Sequence, residues 1–163
     1  MMSDKREYRI MFVCHGNICR SPMAEFIMKG LVREAGLEDR LCIASSATSR
    51  EEIGCGLYPP AARVLASHGV EARGHRARQF TIDDYNSSDI VVVMEDYNIR
   101  NLLRIIGCDC DTKVWKLLDF VEPQPVRWMG EDISDPWYHD NFEKTYNEIL
   151  TGCKALIEYL KLK

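Results

Sequence analysis

Cys14, Arg20 and Ser21 stand in the stretch "CHGNICRS", a Cys-x5-Arg-Ser spacing that suits the capture and displacement of an oxyanion. Residues 14–21, with His15, Gly16, Asn17, Ile18 and Cys19 between the ends, can close a loop whose backbone N–H groups converge on one centre. Set at a helix N-terminus, such a nest binds anions. Gly16 and Asn17 are the two residue types that best tolerate left-handed backbone angles, as a tight loop requires. Arg20 returns over the same centre with a planar fork that fits phosphate oxygens bidentately. A thiol there faces N–H dipoles and a fixed cation, the setting that activates cysteine as a thiolate. Ser21 can donate its hydroxyl to the sulfur. A nucleotide-hydrolysing loop would instead carry Gly-Lys-Ser/Thr, and no such triplet occurs.

A thiolate cannot protonate a departing oxygen, so a second group is needed. "SDPWY" at 134–138 supplies Asp135, fixed by the following proline and flanked by Trp137 and Tyr138. The aromatic pair is expected to shield the carboxyl from water, favouring its acid form. It can also sandwich a planar substrate ring.

These residues need a frame. "YRIMFVC" is short, apolar and β-prone, a buried strand ending at Cys14. "SPMAEFIMKGLVREAG" has helical spacing, started by Ser21–Pro22 and stopped at Gly36. The alternation then continues: strand "LCIASSAT", helix "YPPAARVLASHG", a short helical turn "TIDDYNSS", strand "DIVVVME", helix "DYNIRNLLRIIG" and strand "TKVWKLLDF". "VEPQPVRWMGEDISDPWYHD" reads as a long loop, and "NFEKTYNEILTGCKALIEYLKLK" as a closing two-faced helix. The expected fold is α/β, a single three-layer domain over 1–163 with a central four-stranded parallel sheet and helices on both faces. Residues 1–7 are expected to be a flexible extension. Ligands in such folds sit at the carboxyl ends of strands, where Cys14 is placed.

At 163 residues, with 46% hydrophobic and 28% charged residues, the chain suits one soluble globular domain. A formal charge of −4 gives no reason to expect nucleic acid as a partner. No apolar run approaches a membrane span, and "MMSDKREYRI" lacks the core of a signal peptide, so a cytoplasmic location is expected. The seven cysteines lack a regular framework and are expected to be free thiols, Cys108 and Cys110 included. Neither a metal site nor a cofactor is expected.

"CHGNICRSPMAE" near the start and "DPWY" near the end resemble the low-molecular-weight protein tyrosine phosphatase family. The resemblance continues through "SSATS", "HRARQ" and "VVMEDYN" and so covers nearly the whole chain. It implies a phosphotyrosine protein phosphatase, also active on small aryl phosphates, in which Cys14 forms a cysteinyl-phosphate and Arg20 holds the phosphoryl oxygens. Asp135 would serve first as acid, then as base toward water, and Ser21 would support the thiolate. Asn17, Ser45 and His75 resemble the hydrogen-bond network that shapes the family's loop. Cys19 matches its second loop cysteine, which can trap Cys14 as a disulfide. The expected partners are phosphotyrosine-containing proteins or peptides, with phosphate and vanadate as inhibitors and a monomeric chain. Ile18, Glu51, Trp137 and Tyr138 would line the substrate pocket. Glu51 stands where many eukaryotic members carry tryptophan, so one wall is expected to be polar and acidic. Trp128 is open between core and pocket rim, with the rim favoured.

Three rivals share the loop. An arsenate reductase would need relay cysteines just after the third strand, where "VVVMEDYNIRN" has none. A protein-arginine phosphatase would resemble this chain but carry threonine where Ile18 stands. A silent phosphate-binding module would need neither thiolate nor acid.

Overall fold

The computed structural model describes residues 7–161. The expected N-terminal extension, 1–7, falls outside them except for the exposed Glu7. Four strands, β1 Tyr8–Cys14, β2 Leu41–Ala47, β3 Ile90–Val93 and β4 Val114–Lys116, form one parallel sheet in the order β2-β1-β3-β4. The chain leaves β1 toward β2 and later returns to its other side with β3. The strand order therefore switches at β1, which opens a crevice beyond its carboxyl end.

Side chains alternate across a pleated strand, and β1 uses both faces. Ile10 and Phe12 face a core built with α1 Arg20–Glu34, α2 Pro59–Ser67 and α6 Phe142–Lys161. Met11 and Val13 face a second core with Tyr85 of α3 Ile82–Ser87 and with Ile99 and Leu102 of α4 Asp96–Ile106. Burial on both sides explains why β1 and β3 are nearly continuous apolar runs. The three layers are those the alternation predicts. Among the described residues no helix is long and apolar enough to cross a membrane.

The fourth strand is shorter than "TKVWKLLDF" suggests. Pairing stops at Lys116, and Leu117–Val121 turn into a 3₁₀ helix. Asp119 causes the turn: its carboxylate accepts the N–H groups of Lys116 (2.8 Å), Trp128 (2.8 Å) and Gly130 (2.7 Å). The long loop that follows contains one helical turn, α5 Pro136–His139.

The structure corrects the expectation for two of the seven cysteines. Cys108 and Cys110 are joined as a disulfide. The turn at Asp109 brings their Cα atoms to 5.3 Å, inside the range a disulfide can bridge. That turn is held because Asp109 accepts from the Tyr85 hydroxyl (2.6 Å), Lys113 N–H (2.8 Å) and Val114 N–H (3.1 Å). Cys14, Cys19, Cys42, Cys55 and Cys153 are free.

Candidate active site

Strand β1 delivers Cys14 to the mouth of the crevice, and α1 begins six residues later at Arg20. The helix therefore starts one residue before the Ser21–Pro22 signal, with Cys19 at the cap position and no side-chain cap. Its first N–H groups have no intrahelical acceptors, which is what an anion site requires. Only Asn17 in this loop takes a left-handed angle, at φ 59°; Gly16 does not. That bend turns the Asn17 N–H toward the Cys14 sulfur, at 3.3 Å.

Behind the loop lies a chain of hydrogen bonds. The Asn17 side-chain amide donates to the Ser21 hydroxyl (2.8 Å) and to the Ser45 hydroxyl (3.0 Å), and its oxygen accepts from Arg78 N–H (3.2 Å). His75 Nε2 donates to the Asn17 carbonyl at 2.7 Å. Ser45 passes its own proton to Glu25 at 2.6 Å, and Lys29 holds the other Glu25 oxygen at 2.6 Å. Ser21 thus receives one hydrogen bond and keeps one proton to donate. The Cys14 sulfur lies 3.1 Å from its oxygen and the Ser46 carbonyl 3.3 Å. Asn17, Ser21, Ser45 and His75 are joined by these bonds beneath the loop and do not line the cleft.

Arg20 is 3% exposed. Its Nη1 donates to the Ile133 carbonyl (2.8 Å) and to the Glu95 carboxylate, and Nη2 lies 3.4 Å from Asp135. Burial works against the charge, but the Cys14 sulfur and the carboxylates of Glu95 and Asp135 outweigh it and hold the guanidinium pKa above its ordinary value. Asp135 caps α5 by accepting the Trp137 N–H at 3.0 Å, and Pro136 opens that helix without losing a donor. One carboxyl oxygen therefore anchors the loop and the other faces Arg20.

A cleft of about 650 Å³ unites these groups. Cys14, His15, Gly16, Ile18, Cys19 and Arg20 line its floor, and Glu51, Asp135, Trp137 and Tyr138 its sides. The His15 ring lies 3.0 Å from the Glu51 carboxylate, so the polar wall predicted from Glu51 is present. The aromatic pair is an exposed part of the lining. Trp137 leans on Tyr58, with ring centroids 5.1 Å apart, and Tyr138 is 86% exposed. Both line the cleft beside Asp135 and stand open to solvent. Trp128 is neither rim nor deep core: its indole donates to the Val114 carbonyl at 3.0 Å beside β4, outside the cleft. Cys19 lies buried in the floor; burial, and next the neighbouring Cys14, raise its pKa and keep it a thiol.

Glu52, Glu95 and Tyr97 also line the cleft, and no catalytic motif in the sequence marks them. A signal existed for Glu95, which directly follows the strand "IVVV" and Met94 at the carboxyl edge of the sheet.

A family model described as low molecular weight phosphotyrosine protein phosphatase matches residues 9–163. The chain belongs to that family. A low molecular weight phosphotyrosine protein phosphatase from Gallus gallus is 38% identical over 156 residues, covering 91% of this chain and 93% of its own. Among solved structures, YfkJ from Bacillus subtilis superposes with a TM-score of 0.89 at 32% identity and covers 98% of both chains. A Drosophila arginine phosphatase superposes at 0.81 with 26% identity, covering 93% of this chain and 97% of its own. The low molecular weight phosphatase fold therefore accommodates this sequence from β1 through α6.

Proposed function

We propose that this phosphatase hydrolyses phosphotyrosine in proteins, and small aryl phosphates, through a phosphocysteine formed on Cys14. What carries the reading is the meeting of Cys14, Arg20 and Asp135 in one cleft from positions far apart in the chain. The phosphoryl oxygens rest on the loop N–H groups and on Arg20, which neutralise charge as the transition state develops. The Cys14 sulfur attacks phosphorus and the tyrosyl oxygen leaves with the proton of Asp135. Asp135, now a carboxylate, takes a proton from water; that water attacks phosphorus and the sulfur departs, steadied by Ser21 and Asn17. The steps call for neither metal nor cofactor. Phosphate and vanadate would compete for the same cradle. A monomeric cytoplasmic enzyme, with no nucleic-acid or membrane partner, fits the charge and the elements. A peroxide would convert the Cys14 thiol to a sulfenic acid, and attack by the Cys19 thiol would release water and leave a reversible disulfide.

A second reading, protein-arginine phosphatase, is favoured by the Drosophila likeness and disfavoured by the bulk of Ile18 in the cleft. Arsenate reduction lacks relay cysteines after β3. A silent binding module would make no use of a thiol and an acid so placed.

Rates on matched phosphotyrosine, phosphoserine and phosphoarginine peptides, with arsenate reduction as control, decide among these. Phosphotyrosine should be hydrolysed fastest. A faster rate on phosphoarginine would transfer the assignment to that class.

A further inference from the structure

Lys116 ends β4, and its side chain is only 3% exposed. A buried ammonium requires compensating oxygens, and this one has three. Nζ donates to the Gly130 carbonyl at 2.7 Å and lies 2.6 Å from Asp132 and 3.1 Å from Asp96. Burial disfavours the charge, but the two carboxylates outweigh it and hold the pKa above the ordinary lysine value.

The two carboxylates come from two chain segments, each of which supplies a residue to the cleft. Asp96 opens α4 directly after Glu95, the partner of Arg20. Asp132 lies three residues before Asp135. Asp132 also accepts the Asp96 N–H at 3.1 Å, and Ile133 N–H donates to the Met94 carbonyl at 2.8 Å. Gly130 is pressed onto the 3₁₀ turn: a Cβ there would stand 2.4 Å from the backbone nitrogen of Asp119. One strand end thus ties down the segment before Asp135 through both the Lys116 side chain and the Asp119 carboxylate.

We propose that Lys116 is a positioning residue for the reaction: by bridging Asp96 and Asp132 it sets Asp135 against the Arg20–Glu95 pair, where the leaving oxygen emerges. The proposal rests on the reading of Asp135 as the acid. Lys116 touches no substrate and acts through Asp132 and Gly130. A displacement of about 1 Å at a reacting group can cost ~10²-fold in rate. Here the loss should fall on substrates whose leaving oxygen needs a proton.

The test measures kcat/KM of the full chain on phenyl phosphate, a poor leaving group, and on 2,4-dinitrophenyl phosphate, which departs unprotonated. Lys116→Met and Asp132→Asn should each lose ~10- to 10²-fold on phenyl phosphate and little on the dinitrophenyl ester. Lys116→Arg, which can still bridge two carboxylates, should recover most of the loss. Equal losses on both esters, or none, would overturn the positioning role. If Lys116→Met does not fold, Asp132→Asn, which alters a half-exposed carboxylate, decides on the same criterion. Asp135→Asn separates the clasp from the reading beneath it. A leaving-group-dependent loss there, without one in the clasp variants, removes only the clasp. No such dependence in Asp135→Asn removes the acid and the clasp together.

Discussion

Arg20 and Glu95, 75 positions apart, form a partly buried ion pair in the cleft. Glu95 and the Ile133 carbonyl both hold Nη1, while Nη2 faces the Asp135 carboxylate at 3.4 Å. Glu95 therefore aims the arginine. Glu95→Ala should lower kcat/KM on 4-nitrophenyl phosphate by ~10-fold or more, with weaker inhibition by vanadate, because the fork is no longer oriented. Tighter vanadate binding in that variant would show that Glu95 competes with the anion instead.

Asn17 combines a left-handed backbone with four hydrogen bonds, donating to Ser21, Ser45 and Cys14 and accepting from the Arg78 N–H. Asn17→Ala loses the side-chain bonds and also strains the backbone, and should destabilise the fold by about 2–4 kcal/mol in urea unfolding. Asn17→Gly loses the same bonds without the strain and should fall short of that by about 1 kcal/mol. Equal losses in the two variants would mean that the bend costs nothing.

Acid stability should track two aspartates. Burial pushes Asp109 and Asp84 up, but hydrogen bonds from Tyr85, Lys113 N–H, Val114 N–H and Arg127 for the first, and from Arg78 and Thr81 for the second, hold both below the usual carboxylate value. A depressed folded pKa gives stability that is fully present above the unfolded value of about 3.9 and lost as pH falls through the folded one. Thermal melts should therefore be flat from neutral pH to about pH 4–5 and drop below it. Asp109→Asn should shallow that drop; an unchanged slope would place the acid sensitivity elsewhere.

Cys14, Arg20, Ser21 and Asp135 were legible as candidates because each belongs to a short contiguous motif with its own local geometry. The fold was legible for a related reason: strands buried on both faces read as apolar runs, and helices with one buried face read as periodic ones. Glu95 and Lys116 were not. Each is an ordinary charged residue whose contacts lie far off in the chain, Arg20 for one and Gly130 and Asp132 for the other. The end of β4 was misjudged because Leu117 and Phe120 are apolar whether extended or turned, and Asp119 acts through N–H groups as far along the chain as Gly130. The sequence leaves Trp128 open between core and rim because an exposed aromatic in a functional loop and one pinned to a strand edge look alike.

In the proposed reaction phosphate passes through the Cys14 sulfur. Acid-quenching the enzyme within its first turnovers on a ³²P-labelled phosphotyrosine peptide, followed by peptide mapping, tests it directly. The label should appear on Cys14, decay as phosphate is released, and be absent together with turnover in Cys14→Ser. Label on another residue, or turnover persisting in Cys14→Ser, would contradict the account.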